Sequence, residues 1–185
     1  MALVSITITG SHGVGKTTLA DDVLRRLAPN LSIGLVREPA RELARMGMQV
    51  NDQISEDGVF EYLTYCMSEV RTTEQTLLIK DRSVLDLYAY TIDLFGSRFS
   101  RSLEKLVVEH ILNDRKSTKF VVYVPIEFDL QLDGLRPADV NYQLHIDKVI
   151  LELLEKFEFP VLSVSGTLQN RSNQIVEELK NRGLI

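Results

Sequence analysis

The feature that most constrains this chain is a glycine-rich octapeptide near its amino terminus. Residues 10–17 read Gly-Ser-His-Gly-Val-Gly-Lys-Thr, which matches the pattern G-x-x-x-x-G-K-[ST]. A β-branched run over residues 3–9 precedes it, and apolar residues at helical spacing follow over residues 17–27. A strand, this loop and a helix in that order form the setting in which such a loop binds the phosphates of a nucleotide.

The residue types of the loop suit an anion. Glycines let the backbone turn several N–H groups toward one anion, and the helix that follows directs its positive N-terminal dipole at the same place. Lys16 can reach the β- and γ-phosphates, and the Thr17 hydroxyl suits Mg²⁺. His12 occupies an unspecified position of the pattern, so we expect its ring at the loop surface. The residues expected to hold the phosphates of ATP or a close relative are Gly10, Ser11, His12, Gly13, Val14, Gly15, Lys16, Thr17 and Thr18.

The rest of the chain alternates between strand and helix patterns. Strands are predicted over residues 3–9, 32–36, 76–80, 120–124 and 161–164. Helices are predicted over residues 17–27, 38–46, 55–74, 84–95, 103–112 and 140–157, and the last one includes residues 174–179. Strands that alternate with helices form a parallel sheet through right-handed crossovers. We therefore expect one α/β domain over residues 1–185, a three-layer P-loop NTPase fold with a five-stranded parallel sheet and helices on both faces.

The composition of the chain limits the kinds of partner that we expect. The net charge of −5 argues against nucleic acid or acidic lipid as a ligand. The single cysteine, Cys66, excludes an internal disulfide and a multi-cysteine metal site. No apolar segment approaches the ~20 residues of a membrane span and no signal-peptide pattern is present, so we expect a cytoplasmic protein without a membrane partner. A homodimer is compatible with the sequence.

Charged residues follow two of the predicted strands. Arg37-Glu38-Pro39-Ala40-Arg41 closes the second, and Asp81-Arg82-Ser83 closes the third. Because the carboxyl ends of parallel strands meet at one edge, both groups are expected beside the phosphate loop. There Asp81 would hold Mg²⁺ or its water shell, Arg82 would contact a transferred phosphate, and Glu38 would bind or deprotonate an acceptor hydroxyl. The simpler interpretations are that Asp81 or Ser83 caps the next helix and that Glu38 only starts one.

The segment over residues 126–140 shows neither a helical nor a strand period, and long loops of this kind are usually functional. With Gly134 as a hinge and Pro137 as a stiffener, it is expected to be a lid that excludes water when it closes. Arg136 would then donate to the transferring phosphoryl group. The alternative is a surface loop in which Arg136 makes an exposed ion pair with Asp133 or Asp139.

Signals of two other phosphate-loop classes are missing from the sequence. There is no Asn-Lys-x-Asp segment, with which signalling GTPases recognise guanine. Asp81 is followed by Arg82, whereas mechanical ATPases usually have a glutamate there to activate water. An arginine beside a magnesium-binding carboxylate is better suited to a phosphate that is being transferred.

Taken in order, residues 10–17, 37–41, 81–90 and 133–137 resemble the NadR-like ATPase/kinase group, whose namesakes include nicotinamide riboside kinases. Thymidylate and deoxynucleoside kinases are similar at greater distance. The resemblance covers nearly the whole chain and implies an ATP:acceptor phosphotransferase with a five-stranded parallel core and a mobile lid. It implies donor-phosphate and Mg²⁺ contacts for Lys16 and Thr17, active-site acids at Glu38 and Asp81, a phosphate contact at Arg82, and a place in the lid for Arg136.

Two functions remain open from the sequence. The first is a kinase that uses ATP and Mg²⁺ on a nucleoside, a nucleotide or a related riboside. A hydroxyl acceptor would need Glu38 as base, whereas a monophosphate acceptor would need additional cations such as Arg37, Arg41 and Arg71. The second is a regulatory module that hydrolyses ATP or GTP slowly and transmits the change to a protein partner.

Overall fold

The chain is organised around one parallel β-sheet. A computed structural model describes residues 4–29, 31–50, 54–71, 77–128 and 139–185, with residues 69–71 described by their backbone alone. Within these ranges the sheet has five strands in the order β2-β3-β1-β4-β5. The strands are β1 (Val4–Thr9), β2 (Ile33–Val36), β3 (Leu77–Asp81), β4 (Thr118–Tyr123) and β5 (Val161–Ser163).

Helices cover both faces of the sheet, which confirms the predicted fold class. They are α1 (Lys16–Leu27), α2 (Pro39–Arg45), α3 (Glu56–Arg71), α4 (Val84–Phe95), α5 (Arg101–Ser117), α6 (Val140–Lys156) and α7 (Leu168–Asn181). Side chains of α1 and α7 pack in one apolar cluster with Ile6 and Ile8 of β1. Side chains of α2 to α6 form a second cluster, which includes Val121 and Tyr123 of β4.

Two helices are longer than their apolar patterns predict. The helix predicted over residues 103–112 runs from Arg101 to Ser117, and the last helix, predicted to include residues 174–179, runs from Leu168 to Asn181. Its start is set by Thr167, whose hydroxyl accepts a hydrogen bond from the Asn170 N–H at 3.3 Å. The added turns are largely polar, so apolar periodicity does not detect them, although Arg171 and Ser172 at the start of the last helix are buried.

Strand register brings the carboxyl ends of the central strands together. Ile8 of β1 is paired with Asp81 of β3, and Thr9 is paired with Tyr123 of β4. The loop after β1 and the residues after β3 therefore emerge side by side, where open parallel sheets bind their ligands. No helix in the described ranges is long and apolar enough to cross a membrane.

Candidate active site

The phosphate loop depends on glycine at its first position. Gly10 has φ +140°, and a Cβ there would lie 2.5 Å from the Val124 carbonyl oxygen, so no larger residue fits. Gly13 and Gly15 also have positive φ, at +78° and +86°. Gly15 is the N-cap of α1, so the loop leads directly to the N-terminus of that helix. The backbone thus has the conformation that an anion-binding loop requires.

Lys16 is the first residue of α1 and is only 5% exposed, although it follows a surface loop. Its ammonium donates to the Ser11 carbonyl oxygen. It also acts electrostatically on Asp81 and Asp86, whose pKa values it lowers against the larger effect of their burial. Thr17 is half-buried and Thr18 is exposed. Lys16 is therefore held at the base of the loop, where it can exchange the carbonyl for a phosphate oxygen.

Asp81 lies beneath the loop at the end of β3 and is 2% exposed. Burial raises the pKa of Asp81, and the charge of Glu38 adds to the rise, while a hydrogen bond with the Thr17 side chain opposes it. Within the described ranges its Oδ1 atom has no hydrogen-bond partner. A buried carboxylate oxygen beside a hydroxyl fits Mg²⁺, which takes few protein ligands and completes its shell with water and substrate phosphates.

The helix-cap interpretation is right for Ser83 and wrong for Asp81. The Ser83 hydroxyl accepts from the Leu85 N–H at 3.2 Å, and Asp86 accepts from the Ser83 N–H at 3.0 Å, which together form a capping box on α4. Asp86 also accepts from the Thr9 hydroxyl at 2.8 Å. Because Ser83 and Asp86 satisfy the start of α4, Asp81 is not needed for capping.

Arg82 is buried and strained. Its φ of +75° lies in the left-handed region, which costs a non-glycine residue roughly 1–3 kcal/mol, and its N–H donates to the Ile8 carbonyl oxygen at 3.0 Å. The side chain is 4% exposed, with Nε 2.8 Å from Glu38 Oε1 and Nη1 3.3 Å from Asp86 Oδ1. Strain of this kind is characteristic of functional sites. With this backbone conformation, the Arg82 guanidinium lies between the carboxylates of Glu38 and Asp86 at the end of the sheet.

Glu38 is held by two arginines. One oxygen pairs with Arg82, and the other accepts from Arg41 Nε at 2.7 Å. Glu38 precedes α2, but its side chain makes no capping hydrogen bond, so helix initiation does not explain its 3% exposure. Arg37 points elsewhere and pairs with Asp21 on the surface of α1 at 3.0 Å. Glu38, Asp81 and Arg82 thus lie together beside the loop, as the ends of their strands predicted.

Two cavities adjoin Arg82. The smaller, of about 30 Å³, lies between α2, α3 and α4, and its walls include Glu38, Tyr62, Asp86 and Tyr90. The larger, of about 260 Å³, lies between α3 and α5 around an ion pair of Lys80 and Asp114. The smaller cavity borders the acidic groups nearest the phosphate loop, so it is the better candidate for an acceptor. It holds one or two water molecules at most, and an acceptor must open it.

The predicted position of the His12 ring is wrong. Its side chain is turned inward and is 2% exposed, whereas the sequence pattern suggested a ring at the loop surface. The ring lies 5.9 Å from that of Tyr142, and the His12 carbonyl oxygen accepts from Gln143 Nε2 at 2.6 Å. Both partners belong to α6, and their sequence gives no signal of contact with residue 12. Packing of α6 against the loop therefore determines the orientation of His12.

Arg171 of α7 is a residue that sequence reasoning did not identify. It is 4% exposed, and its Nη1 donates to the Val14 carbonyl oxygen of the phosphate loop at 3.1 Å. Its Nη2 contacts Glu127 Oε2 at 3.0 Å, and the same oxygen accepts from the Gly166 N–H at 2.8 Å. Arg171 thus holds the phosphate loop through a hydrogen bond to one backbone carbonyl group, that of Val14.

Replacing Arg171 by methionine should therefore loosen the loop without removing a phosphate ligand. We expect nucleotide affinity to fall by about tenfold, because one buried hydrogen bond to a charged group contributes roughly 1.5–3 kcal/mol. Calorimetric titration with nucleotide measures this. Arg182→Met is the matched control, since Arg182 caps the C-terminus of the same helix, at the opposite end from Arg171, and pairs with Glu178 at 2.6 Å. Equal affinity of the two variants would contradict a role for Arg171.

Two predicted residues lie outside what can be described. Arg136 and most of the predicted lid over residues 126–140 fall in residues 129–138, and the side chain of Arg71 is likewise outside the described part of the chain. The lid and its arginine therefore remain predictions. Glu127 and Asp139 flank the segment, and the Asp139 side chain caps α6 by accepting from the Asn141 N–H at 2.8 Å.

The sheet order, the loop between β1 and α1 and the adjoining acids define the P-loop NTPase fold. The chain belongs to the AAA domain family, whose sequence profile matches residues 5–171. A search of curated protein sequences found no significant match.

Solved structures with the same fold include NadR and a thymidylate kinase, which confirms the resemblance in fold. A NadR protein in complex with NR is 20% identical, with a TM-score of 0.75, over 95% of this chain and 51% of that one. NadR in complex with NAD and AMP-PNP is 18% identical, with a TM-score of 0.75, over 95% and 49%. Thymidylate kinase from Ehrlichia chaffeensis is 13% identical, with a TM-score of 0.64, over 97% and 100%. The chain thus spans about half the length of the NadR chains.

Proposed function

We propose that this protein is an ATP- and Mg²⁺-dependent phosphotransferase that acts on a nucleoside, a nucleotide or a related riboside. The observation that supports it most is the position of Arg82 between two adjoining sites. Its N–H donates to Ile8 of β1, the strand that leads into the phosphate loop, and its guanidinium borders the small cavity with Glu38 and Asp86. A hydrolase needs a residue that activates water, whereas a transferase needs a second substrate site beside the phosphates.

The residues present fit the chemistry of phosphoryl transfer. An acceptor oxygen bonds to the γ-phosphorus as the bond to the β–γ bridging oxygen breaks, so ADP leaves with that electron pair. Lys16 and the loop N–H groups would hold the donor phosphates, and Arg82 would stabilise charge on the transferred group. Thr17 and Asp81 would hold Mg²⁺, which supplies charge neutralisation at the donor phosphates when bound.

The solved structures with the same fold are consistent with this proposal, but they do not identify the acceptor. They are NadR in complex with NR, NadR in complex with NAD and AMP-PNP, and a thymidylate kinase. A riboside presents a hydroxyl acceptor, and a nucleoside monophosphate presents an ionised oxygen. Glu38 distinguishes the two classes, because only the hydroxyl has a proton to lose.

We therefore expect the Glu38→Gln variant to distinguish a hydroxyl acceptor from a monophosphate acceptor. With a hydroxyl acceptor, loss of the base should lower kcat on the order of 10²-fold with little change in acceptor KM. With a monophosphate acceptor, kcat should change less and acceptor KM should rise, because Arg82 and Arg41 lose their common partner. Steady-state kinetics with each acceptor class measures both parameters.

The control for Glu38 lies on α2, the helix that Glu38 precedes. Glu42 makes an exposed ion pair with Arg45 at 2.5 Å, and Glu42→Gln should leave both parameters unchanged. If Glu38→Gln also leaves them unchanged, Glu38 has no part in the reaction.

The proposed function is tested by a screen of nucleosides, nucleotides and ribosides with ATP and Mg²⁺. Mass spectrometry should detect a gain of one phosphate on an acceptor, and the Lys16→Ala protein serves as the blank. ATP consumption that depends on the acceptor would support a kinase. Slow ATP or GTP hydrolysis that no acceptor accelerates would instead support the regulatory module.

A further inference from the structure

The His12 side chain connects the phosphate loop to α4. Its Nδ1 atom lies 3.3 Å from the Tyr90 hydroxyl oxygen, within a hydrogen bond. The preceding residue, Ser11, has the carbonyl oxygen that accepts from the Lys16 ammonium. A phosphate that binds Lys16 competes for this ammonium, so the Ser11–His12 peptide is where the loop must respond to the ligand.

Tyr90 continues this connection to the acceptor side. Its ring faces the Arg82 guanidinium, with Cζ 5.7 Å from the ring centroid, and it forms part of the wall of the small cavity. Arg82 in turn lies 2.8 Å from Glu38. Unbroken contacts thus run from His12 through Tyr90 and Arg82 to Glu38, from one substrate site to the other.

We propose that Tyr90 is a positioning residue that couples occupancy of the phosphate loop to the placement of Arg82, so that the two substrate sites bind cooperatively. The proposal rests on the function proposed above. His12 and Arg82 are both buried and both contact Tyr90, so a shift of one side chain is passed to the other through that residue. A coupling of this kind is reciprocal, since each ligand changes the affinity of the other by the same factor.

Mg·ADP is a suitable probe, because it fills the loop up to the β-phosphate and lacks the group that Arg82 would contact directly. NMR of protein labelled with ¹⁵N-histidine and ¹⁵N-arginine follows both ends of the connection. The chain has 3 histidines, so the His12 ring signals are assigned with a His12→Gln variant. In the wild type we expect Mg·ADP to shift the ring signals of His12 and the Nε–H signal of Arg82.

Two variants test the role of Tyr90. Tyr90→Phe keeps the ring beside Arg82 and removes the hydroxyl, and Tyr90→Leu removes both. In each variant Mg·ADP should still bind and shift the His12 signals, but the shift of Arg82 should be lost. Tyr88→Phe is the matched control, since Tyr88 lies on the same helix and its hydroxyl bonds Glu104 at 2.8 Å. That variant should keep the Arg82 shift.

The outcomes separate the coupling from the proposed function. A wild type that binds Mg·ADP and shifts His12 without shifting Arg82 overturns the coupling and leaves the function standing. An Arg82 shift that persists in both Tyr90 variants overturns the role of Tyr90. If calorimetry detects no Mg·ADP binding to the wild type, the proposed function fails, and the coupling fails with it.

Discussion

Lys16→Ala is expected to abolish tight nucleotide triphosphate binding while the protein remains folded. The Lys16 ammonium is buried at the base of the loop, beside the backbone groups that would surround the phosphates. Truncating one partner of a buried charge pair costs about 2–5 kcal/mol, so affinity should fall by roughly 10²- to 10³-fold. Calorimetric titration with the Mg²⁺ complex of AMP-PNP measures the loss.

The fold should survive because Lys16 makes its hydrogen bond within the loop, to Ser11, and lies in neither apolar cluster. Circular dichroism and the melting temperature of the ligand-free protein check this. Lys105→Ala is the control, since Lys105 is an exposed lysine of α5 that pairs with Glu109 at 3.9 Å. Wild-type affinity in a folded Lys16→Ala protein would remove the loop from the site.

Asp81→Asn should lower turnover about 10³-fold and leave nucleotide binding without metal nearly unchanged. Its buried Oδ1 atom and the adjacent Thr17 side chain are the groups that fit Mg²⁺. Metal neutralisation of transition-state charge contributes several kcal/mol, and each 1.36 kcal/mol changes the rate by about tenfold. The measurement is kcat across a magnesium titration, and full activity of the variant at every concentration would leave Asp81 a purely structural role.

The same substitution should stabilise the metal-free protein at neutral pH. Burial raises the pKa of Asp81, so the folded protein binds that proton more tightly than the unfolded chain does. Stability therefore falls as pH rises from the ordinary carboxyl value, about 3.9, through the raised value. At pH values above the raised pKa, Asp81→Asn should have a higher melting temperature than the wild type. This difference in melting temperature should shrink as the pH falls from the raised pKa toward the ordinary carboxyl value.

Mg²⁺ with nucleotide should reverse this order of stability, because only the wild-type carboxylate gains a cation. Asp21→Asn is the control, since Asp21 is exposed and pairs with Arg37 on the surface of α1. It should change neither the melting temperature nor its response to the ligand by a measurable amount.

Local sequence patterns were sufficient to predict the fold and the phosphate loop of the candidate site. Residues 10–17 require a particular backbone shape and charge whatever surrounds them, so the motif identifies the loop by itself. The five strands were predictable from short β-branched runs, and their alternation with helices implied the parallel sheet. Parallel topology then placed Glu38 and Asp81 at one edge, because it depends on strand direction rather than on side-chain detail.

Only tertiary packing decided how these residues are used. The inward position of His12 depends on α6, more than a hundred residues along the chain, and the support of Val14 depends on Arg171 in α7. Nothing in the local sequence of these helices marks those contacts, since polar side chains on a helix usually face solvent. Glu38 is a comparable case for one of its two partners, because Arg41 lies three residues away but Arg82 becomes a neighbour only when β2 and β3 lie side by side. The backbone of the phosphate loop is encoded by neighbours in sequence, whereas the pairing of Glu38 with Arg82 depends on neighbours in space.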